Sequence, residues 1–456
     1  MQKASRHITA VLGRVLFIGF SVQIVLGFLW ACCNFGDFQE YGDSLFYIRI
    51  SKTLLFDEYT GALYPVLLML VRGIEGILRI PYLYTLQILQ LLAAGFVGYY
   101  VLRIVVGKRR LFTLWGSLAI LTFPMLLQCH LAVLPHSFTF SACLLELAFV
   151  VQAIKCSQPL SIAMLSKIGS CWLVSALLMP EYLYFGAVPV VLLLIYDMCR
   201  YRKQKGLRVV GNLLVAAVCA GVIVGVGNLT SQDGAYGRPE QTMDAALFKR
   251  CAWTSICDYY SHWPQDMQAA VSYELARETA GYADNVDRLL WPQLKEAVGE
   301  ERAQEMYRTV GMYVWKNNTR QIAKEILWDA AGYTMPPVIM KQMLQGRGYD
   351  SYVGRNYELM KEEAPLLTRH YIDYSSFWFP VGIMISFVIM LLQRLQGLQK
   401  KQGEGMWVVI CICQAGLMIL WYTMQGAGMW DYRNALLVGA LWVLWMIRQT
   451  DKVISE

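Results

Sequence analysis

Apolar runs of about twenty residues, the length an α-helix needs to cross a hydrocarbon layer roughly 30 Å thick, recur along this chain and constrain it most. They fall near residues 15–33, 82–104, 111–128, 133–154, 160–179, 182–199, 209–229, 377–396, 406–423 and 433–448 of the 456-residue sequence. About ten helical spans are therefore predicted. The fold class is an all-α multi-pass membrane protein, because in lipid a helix satisfies its own backbone polar groups. Charged residues make up 16% of the chain, against roughly 25% in a soluble domain, too few to cover a water-facing surface of this size. A secreted disulfide scaffold, a disordered chain and a cytosolic enzyme are excluded on that ground. Of the twelve cysteines, all but Cys251 and Cys257 lie in or beside apolar runs, where cysteine behaves as a small hydrophobe. A disulfide between those two stays open, and no paired CxxC motif supports a zinc site.

Basic clusters orient the spans, since cytoplasmic loops carry the excess of Lys and Arg. Lys108, Arg109 and Arg110 form one cluster, Arg200, Arg202, Lys203, Lys205 and Arg208 a second, and Arg394, Lys400 and Lys401 a third. All three fall on the side of the N-terminus, so both termini are expected in the cytoplasm of a cell whose plasma membrane the chain crosses. Lys3, Arg6, His7 and Arg14 ahead of the first run resemble a signal-peptide start, but the run is long, carries Trp30 near its end and lacks a small-residue cleavage site. It reads as a retained span. The stretch 231–375 holds 16 Lys and Arg against 20 Asp and Glu, and the remainder 24 against 13. The overall charge of +7 thus reflects topology and gives no sign of nucleic acid as a partner.

Three domains follow. Residues 1–230 form an N-terminal transmembrane module with an acidic first outer loop at 34–81. Residues 231–375 form an extracytoplasmic helical domain, a compact lid with Trp, Tyr and Met on repeating faces. Residues 376–456 supply the last transmembrane helices. In the first outer loop, YIRISKTLLF and LYPVLLMLVRGIEGILRI predict two short amphipathic helices in the outer interface. There Arg72, Glu75 and Arg79 avoid the several kcal/mol that burial of charge in lipid costs. Asn228 and Asn317 match the short N-x-[ST] pattern.

Four groups could carry chemistry. Asp37, Glu40 and Asp43 cluster at the outer end of the first span, where repulsion and partial desolvation raise carboxyl pKa values. One could serve as a general base, or a pair could hold a divalent metal; a solvated acidic loop is the plain alternative. Glu181, in Pro180–Glu181 at an outer turn, could act chemically or cap the next helix at its positive end. His136 occupies a similar turn and reads equally as structural. Arg433, in DYRN at the outer end of the last span, runs against the positive-inside trend. Its fork suits a phosphate, unless it simply pairs with Asp431. No GxxxxGK[ST] loop is present, which excludes an ATP-driven pump. Within the spans Glu146 and Lys167 are the main charges, with Arg103 near a cytoplasmic end.

Taken in order, GDSLFYIRISKTLLF, TGALYPVLLMLVRGI, MPEYLYFGAVPVVLLLIYDMCRYRK and DYRNALLVGALWVLW resemble the GT-C superfamily of polyprenyl-phosphate-sugar-dependent membrane glycosyltransferases. The likeness is to bacterial members akin to aminoarabinose transferase and protein O-mannosyltransferase. It covers most of the membrane module, whereas 231–375 matches in position and helicity. Many relatives carry a second acid where Ser44 stands and an arginine where Met179 stands. The resemblance implies an enzyme of the cell envelope that moves a sugar, with inversion, from a polyprenyl-phosphate donor to an acceptor on the extracytoplasmic face. Asp43 would be the catalytic base. Asp37, Glu40, Tyr47, Lys52, His136, Glu181 and Arg433 would line the substrate, with Arg433, and Lys52 or Arg49, facing the departing phosphate. No firm cofactor is implied beyond a possible divalent metal. The partners would be the lipid-linked sugar, an acceptor that is lipid, protein or wall glycan, and membrane lipid. Two other readings compete: a polymerase or ligase of lipid-linked oligosaccharides using His262, Arg369 and His370, and a non-catalytic transporter or scaffold.

Overall fold

A computed structural model describes residues 2–37, 42–54, 61–106, 109–156, 158–200, 206–230, 243–280, 285–336, 366–395, 404–426 and 435–455. The described residues form helices joined by turns and contain no β-strand. The chain divides into two compact units.

The first unit comprises Met1–Gln232, Pro365–Leu417 and Leu436–Glu456. It opens with α1 (Gln2–Asn34), followed by the short helices α2 (Gly42–Thr53) and α3 (Leu63–Leu78). Then come α4 (Tyr82–Val105), α5 (Arg110–Leu121), α6 (Pro124–Leu131), α7 (His136–Lys155), α8 (Ile162–Leu178), α9 (Tyr182–Arg200) and α10 (Gly206–Thr230). Five helices are long and apolar enough to cross a membrane: Arg6–Asn34, Tyr82–Val105, His136–Lys155, Tyr182–Arg200 and Leu366–Arg394. The protein is therefore an all-α membrane protein. Helix α8 begins at Ser161, whose hydroxyl accepts from the Met164 N–H at 3.2 Å, the usual way to satisfy one orphan donor of a first turn.

The third apolar run departs from expectation. A single helix over 111–128 was predicted, but α5 and α6 meet at a 72° bend. Pro124 stands in the first turn of α6, where its fixed φ suits a helix start and its missing N–H costs nothing. The break exposes carbonyls that lipid could not satisfy, and side chains from neighbouring helices take them. Gln23 of α1 donates to Ala119 O at 3.1 Å, and the Tyr371 hydroxyl donates to Thr122 O. Tyr374 ties the same region of the bundle together through Gly19 O at 2.8 Å. Gly19 admits no side chain, because a Cβ there would overlap the Trp378 ring.

The second unit comprises Asp233–Ala364 and Met418–Ala435. It contains α11 (Met243–Cys257), α12 (Gln265–Ala270), α13 (Tyr273–Ala280), α14 (Trp291–Val298) and α15 (Glu300–Thr334). The later helices of the chain are α16 (Leu366–Leu395), α17 (Glu404–Gly426) and α18 (Leu436–Ser455). Gly299, at φ +85°, separates α14 from α15. That conformation suits glycine, and Glu300 and Glu301 then begin α15 at its positive end. The core is aromatic and sulfur-rich: Phe248, Trp263, Met267, Trp291, Met306 and Tyr307 are buried together, with Phe248 stacked on Tyr307 at 4.2 Å. Arg250 is buried and pairs with Asp329. Cys251 and Cys257 are free thiols, the first buried and the second exposed, so the disulfide left open by the sequence is not formed.

Candidate active site

Asp37, Tyr47, His136 and Glu181, four of the residues expected to act, belong to the first unit, and α4 organises the end at which their segments meet. Two glutamines one turn apart on α4, Gln87 and Gln90, are fully buried. Gln87 accepts from the Gly36 N–H at 2.8 Å and donates to Leu131 O at 2.8 Å and Asp37 O at 3.3 Å. Gln90 donates to His130 O at 2.8 Å and Ala132 O at 3.0 Å. One helix thus pins both the exit of α1 and the turn between α6 and α7. Gly36, at φ +88°, makes the tight departure, and a Cβ there would meet the Tyr84 ring.

Asp37 follows directly and is exposed. Glu40 lies outside the described residues. Asp43 stands in the first turn of α2, the end where the helix dipole favours an anion, while its side chain lies outside the described residues. Tyr47 is buried and meets Tyr64 of α3 edge-on, at 5.2 Å and 85°. These rings pack with Leu83 and Leu86 of α4, with Ala132, Val133 and Leu134 of the α6–α7 turn, and with Leu178 at the end of α8. The Tyr64 hydroxyl is buried with no hydrogen-bond partner, and burial pushes its phenol well above its ordinary value.

The α8–α9 turn joins this group. Gly61 lies so close to the last turn of α8 that a Cβ would strike the carbonyl oxygens of Leu177 and Leu178. Half-buried Glu181 sits three residues beyond that turn, just before α9. Its carbonyl accepts from the Tyr184 N–H at 3.2 Å. Half-buried His136 opens α7, beside the buried pair in which His130 Nδ1 lies 2.7 Å from Ser137 Oγ. The structure therefore brings the α1 exit with Asp37, the α2 helix of Asp43 and Tyr47, the His136 turn and the approach to Glu181 into one neighbourhood.

Lys52 does not join them. It lies exposed in the last turn of α2, nine residues and so about 13 Å along the axis from Asp43. Arg49 is exposed as well. The reason is the pattern of α2 itself, which buries Ser44, Tyr47, Ile50 and Ser51 and leaves its basic residues on the other face. Arg433 lies outside the described residues, as does Asp431.

Several residues escaped the sequence reading. His130, Ser137, Gln87, Gln90 and Tyr64 all lie inside apolar stretches, and the signal available was two glutamines spaced three apart on one helical face. Glu146, noted only as a rare intramembrane charge, is fully buried in α7, with neither carboxylate oxygen hydrogen-bonded. Among the described residues no three His, Cys, Asp or Glu side chains converge into a set that could hold a metal ion. Chemically, the neighbourhood offers carboxyl-bearing segments, an imidazole and phenols at the mouth of an apolar bundle, groups able to move a proton and to bind hydroxyls. Comparison with protein-family models finds no match, and comparison with curated proteins finds none either.

Proposed function

We propose that this protein is an inverting membrane glycosyltransferase of the GT-C type. It would move a sugar from a polyprenyl phosphate to an acceptor on the extracytoplasmic face of the plasma membrane. The observation that carries the reading is the packing of α2 and α3 against the turns that precede α7 and follow α8. An amphipathic donor has its tail in lipid and its sugar phosphate at the interface, so acid–base groups must gather at span ends, as these segments do.

Ten spans complete the topology: the five long helices, the bent pair α5 and α6, and α8, α10, α17 and α18. An even number returns the C-terminus to the cytoplasmic side, in keeping with the basic clusters. At 17 residues, α8 is about 26 Å long, close to the hydrocarbon thickness. Asp43 is the base that takes the proton of the acceptor as its oxygen or nitrogen attacks the anomeric carbon. The bond to the phosphate oxygen breaks in the same displacement, and polyprenyl phosphate leaves with the electron pair. Arg433 stabilises the departing charge, with no part for Lys52. A divalent metal would need Asp37, Glu40 and Asp43, and no step depends on it.

The test is incubation of the purified protein with radiolabelled polyprenyl-phosphate sugars of several kinds and a membrane extract supplying acceptors. Release of free polyprenyl phosphate together with labelled acceptor is expected, and it should fall in Arg433→Ala. A well-folded protein that consumes no donor of the set would count against the proposal.

A further inference from the structure

We propose that the second unit carries a saccharide-binding platform built from Tyr259, His262 and Tyr313. The three rings meet pairwise: His262 and Tyr313 are near parallel at 5.5 Å and 23°, and Tyr259 stands across both at 5.7 Å from each. Tyr313 and His262 are exposed, whereas Tyr259 is half-buried and rooted in the core of the unit. Solvent-facing aromatic clusters of this kind mark recognition surfaces more often than chance hydrophobes do.

The platform is pre-organised, which lowers the ordering cost of binding. The turn Tyr260–His262 is fastened from below by Gln268, which donates to Trp263 O at 2.7 Å, and by the Tyr260 hydroxyl, which donates to Val271 O at 2.6 Å. Ser261 Oγ lies 3.2 Å from His262 Nδ1 and fixes the imidazole. Tyr313 is carried in the long helix α15.

A neutral sugar ring fits this chemistry. Its C–H face is weakly positive and stacks on the negative face of an aromatic ring. Its equatorial hydroxyls reach the polar rim, here the Ser261 hydroxyl, the His262 ring and the phenols of Tyr259 and Tyr313. A quaternary ammonium ion would instead need ring faces turned toward one centre, and the near-parallel His262 and Tyr313 rings do not provide that. On the transferase reading the bound saccharide is the acceptor glycan, a point that rests on that reading. Binding itself does not, because it is measured without transfer.

The experiment uses the full chain in lipid nanodiscs, free of sugar detergents, with maltotriose, chitotriose and choline as probes in saturation-transfer-difference NMR. The expected result is transfer to ring C–H protons of at least one trisaccharide, with affinity reduced at least about tenfold in Tyr313→Ala and in His262→Ala. It should be unchanged in Trp328→Ala, an exposed aromatic of the same unit outside the trio. No transfer to either sugar, or equal transfer in wild type and Tyr313→Ala, overturns the proposal. Transfer to choline alone, lost in Tyr313→Ala, overturns it in favour of a cation cage.

Discussion

At the scale of single residues, buried amides fasten the segments of the candidate site to one another. Gln87 joins the α1 exit to the α6–α7 turn, so Gln87→Ala removes the partner of the part-buried Gly36 N–H and of the buried Leu131 carbonyl. Each such orphan costs about 1–3 kcal/mol, and the thermal midpoint in detergent should fall clearly, whereas Gln152→Ala, at a half-buried site near the other end of α7, should change it little. Gly61→Ala should act differently. Its methyl would push the α2–α3 connection off the end of α8, so transfer activity should drop more than stability does. A variant equal to wild type in both would mean that this approach does not matter. Neither residue was legible as functional, because a glutamine in an apolar run and a glycine in a loop each have many commoner explanations. Asp37, His136 and Glu181 stand out in the sequence because they flank apolar runs, whereas Tyr47 entered through the resemblance alone. The exposure of Lys52 follows from which face α2 buries, which the sequence leaves open.

Elements were easier to read than residues. Among the described residues each apolar run falls on helix, the run at 111–128 on two helices rather than one, and the short helices α2 and α3 were predicted from their amphipathic pattern. Arg79, expected on the charged side of the second of these, instead ends α3 in a left-handed conformation. Arg72 lies over the Tyr82 ring at 6.0 Å. The break between α5 and α6 was missed because hydropathy averages over the window in which Pro124 acts. In the second unit, helix pairing turns on the buried pair of Arg250 and Asp329. Arg250→Ala removes the cation paired with the buried Asp329 carboxylate and should cost up to about 3–5 kcal/mol, while replacing both partners with Met and Leu should cost far less; urea unfolding of the variants measures this. A second, exposed pair gives a pH signature. Arg302 donates to Asp266 through Nε at 3.0 Å and through a terminal nitrogen at 2.9 Å, and these bonds hold the Asp266 carboxyl below its ordinary value. The folded value is the lower one, so the contribution is complete above the ordinary carboxylate range and is lost as pH falls through the folded value. Asp266→Asn should flatten that acid limb of the melting profile slightly, since both groups are exposed.

For the whole molecule, an outer-face reaction depends on which side of the membrane each part occupies. Native cysteines can report it. Cys257 in the second unit is exposed, as are Cys156 and Cys199 at the opposite ends of α7 and α9 from the candidate site. An impermeant maleimide applied to intact cells at mildly alkaline pH should label Cys257, slowly because burial and Asp258 raise its thiol pKa. It should reach Cys156 and Cys199 only after permeabilisation. The reverse order would invert the topology and remove an outer-face reaction. The expected topology rests on charge asymmetry, a property of composition that the sequence carries openly. The cluster of Tyr259, His262 and Tyr313 could not be read as one, because its members carry no fixed spacing in sequence.

The central claim is that a carboxylate on α2 takes the acceptor's proton while a polyprenyl phosphate departs, and sugar transfer by Asp43→Asn tests it most directly. Purified wild type and variant are compared on a donor that the wild type consumes, with donor affinity measured alongside. The account predicts a loss of roughly 10²–10⁴-fold in transfer with donor binding and thermal midpoint retained. Equal transfer by wild type and variant would contradict it.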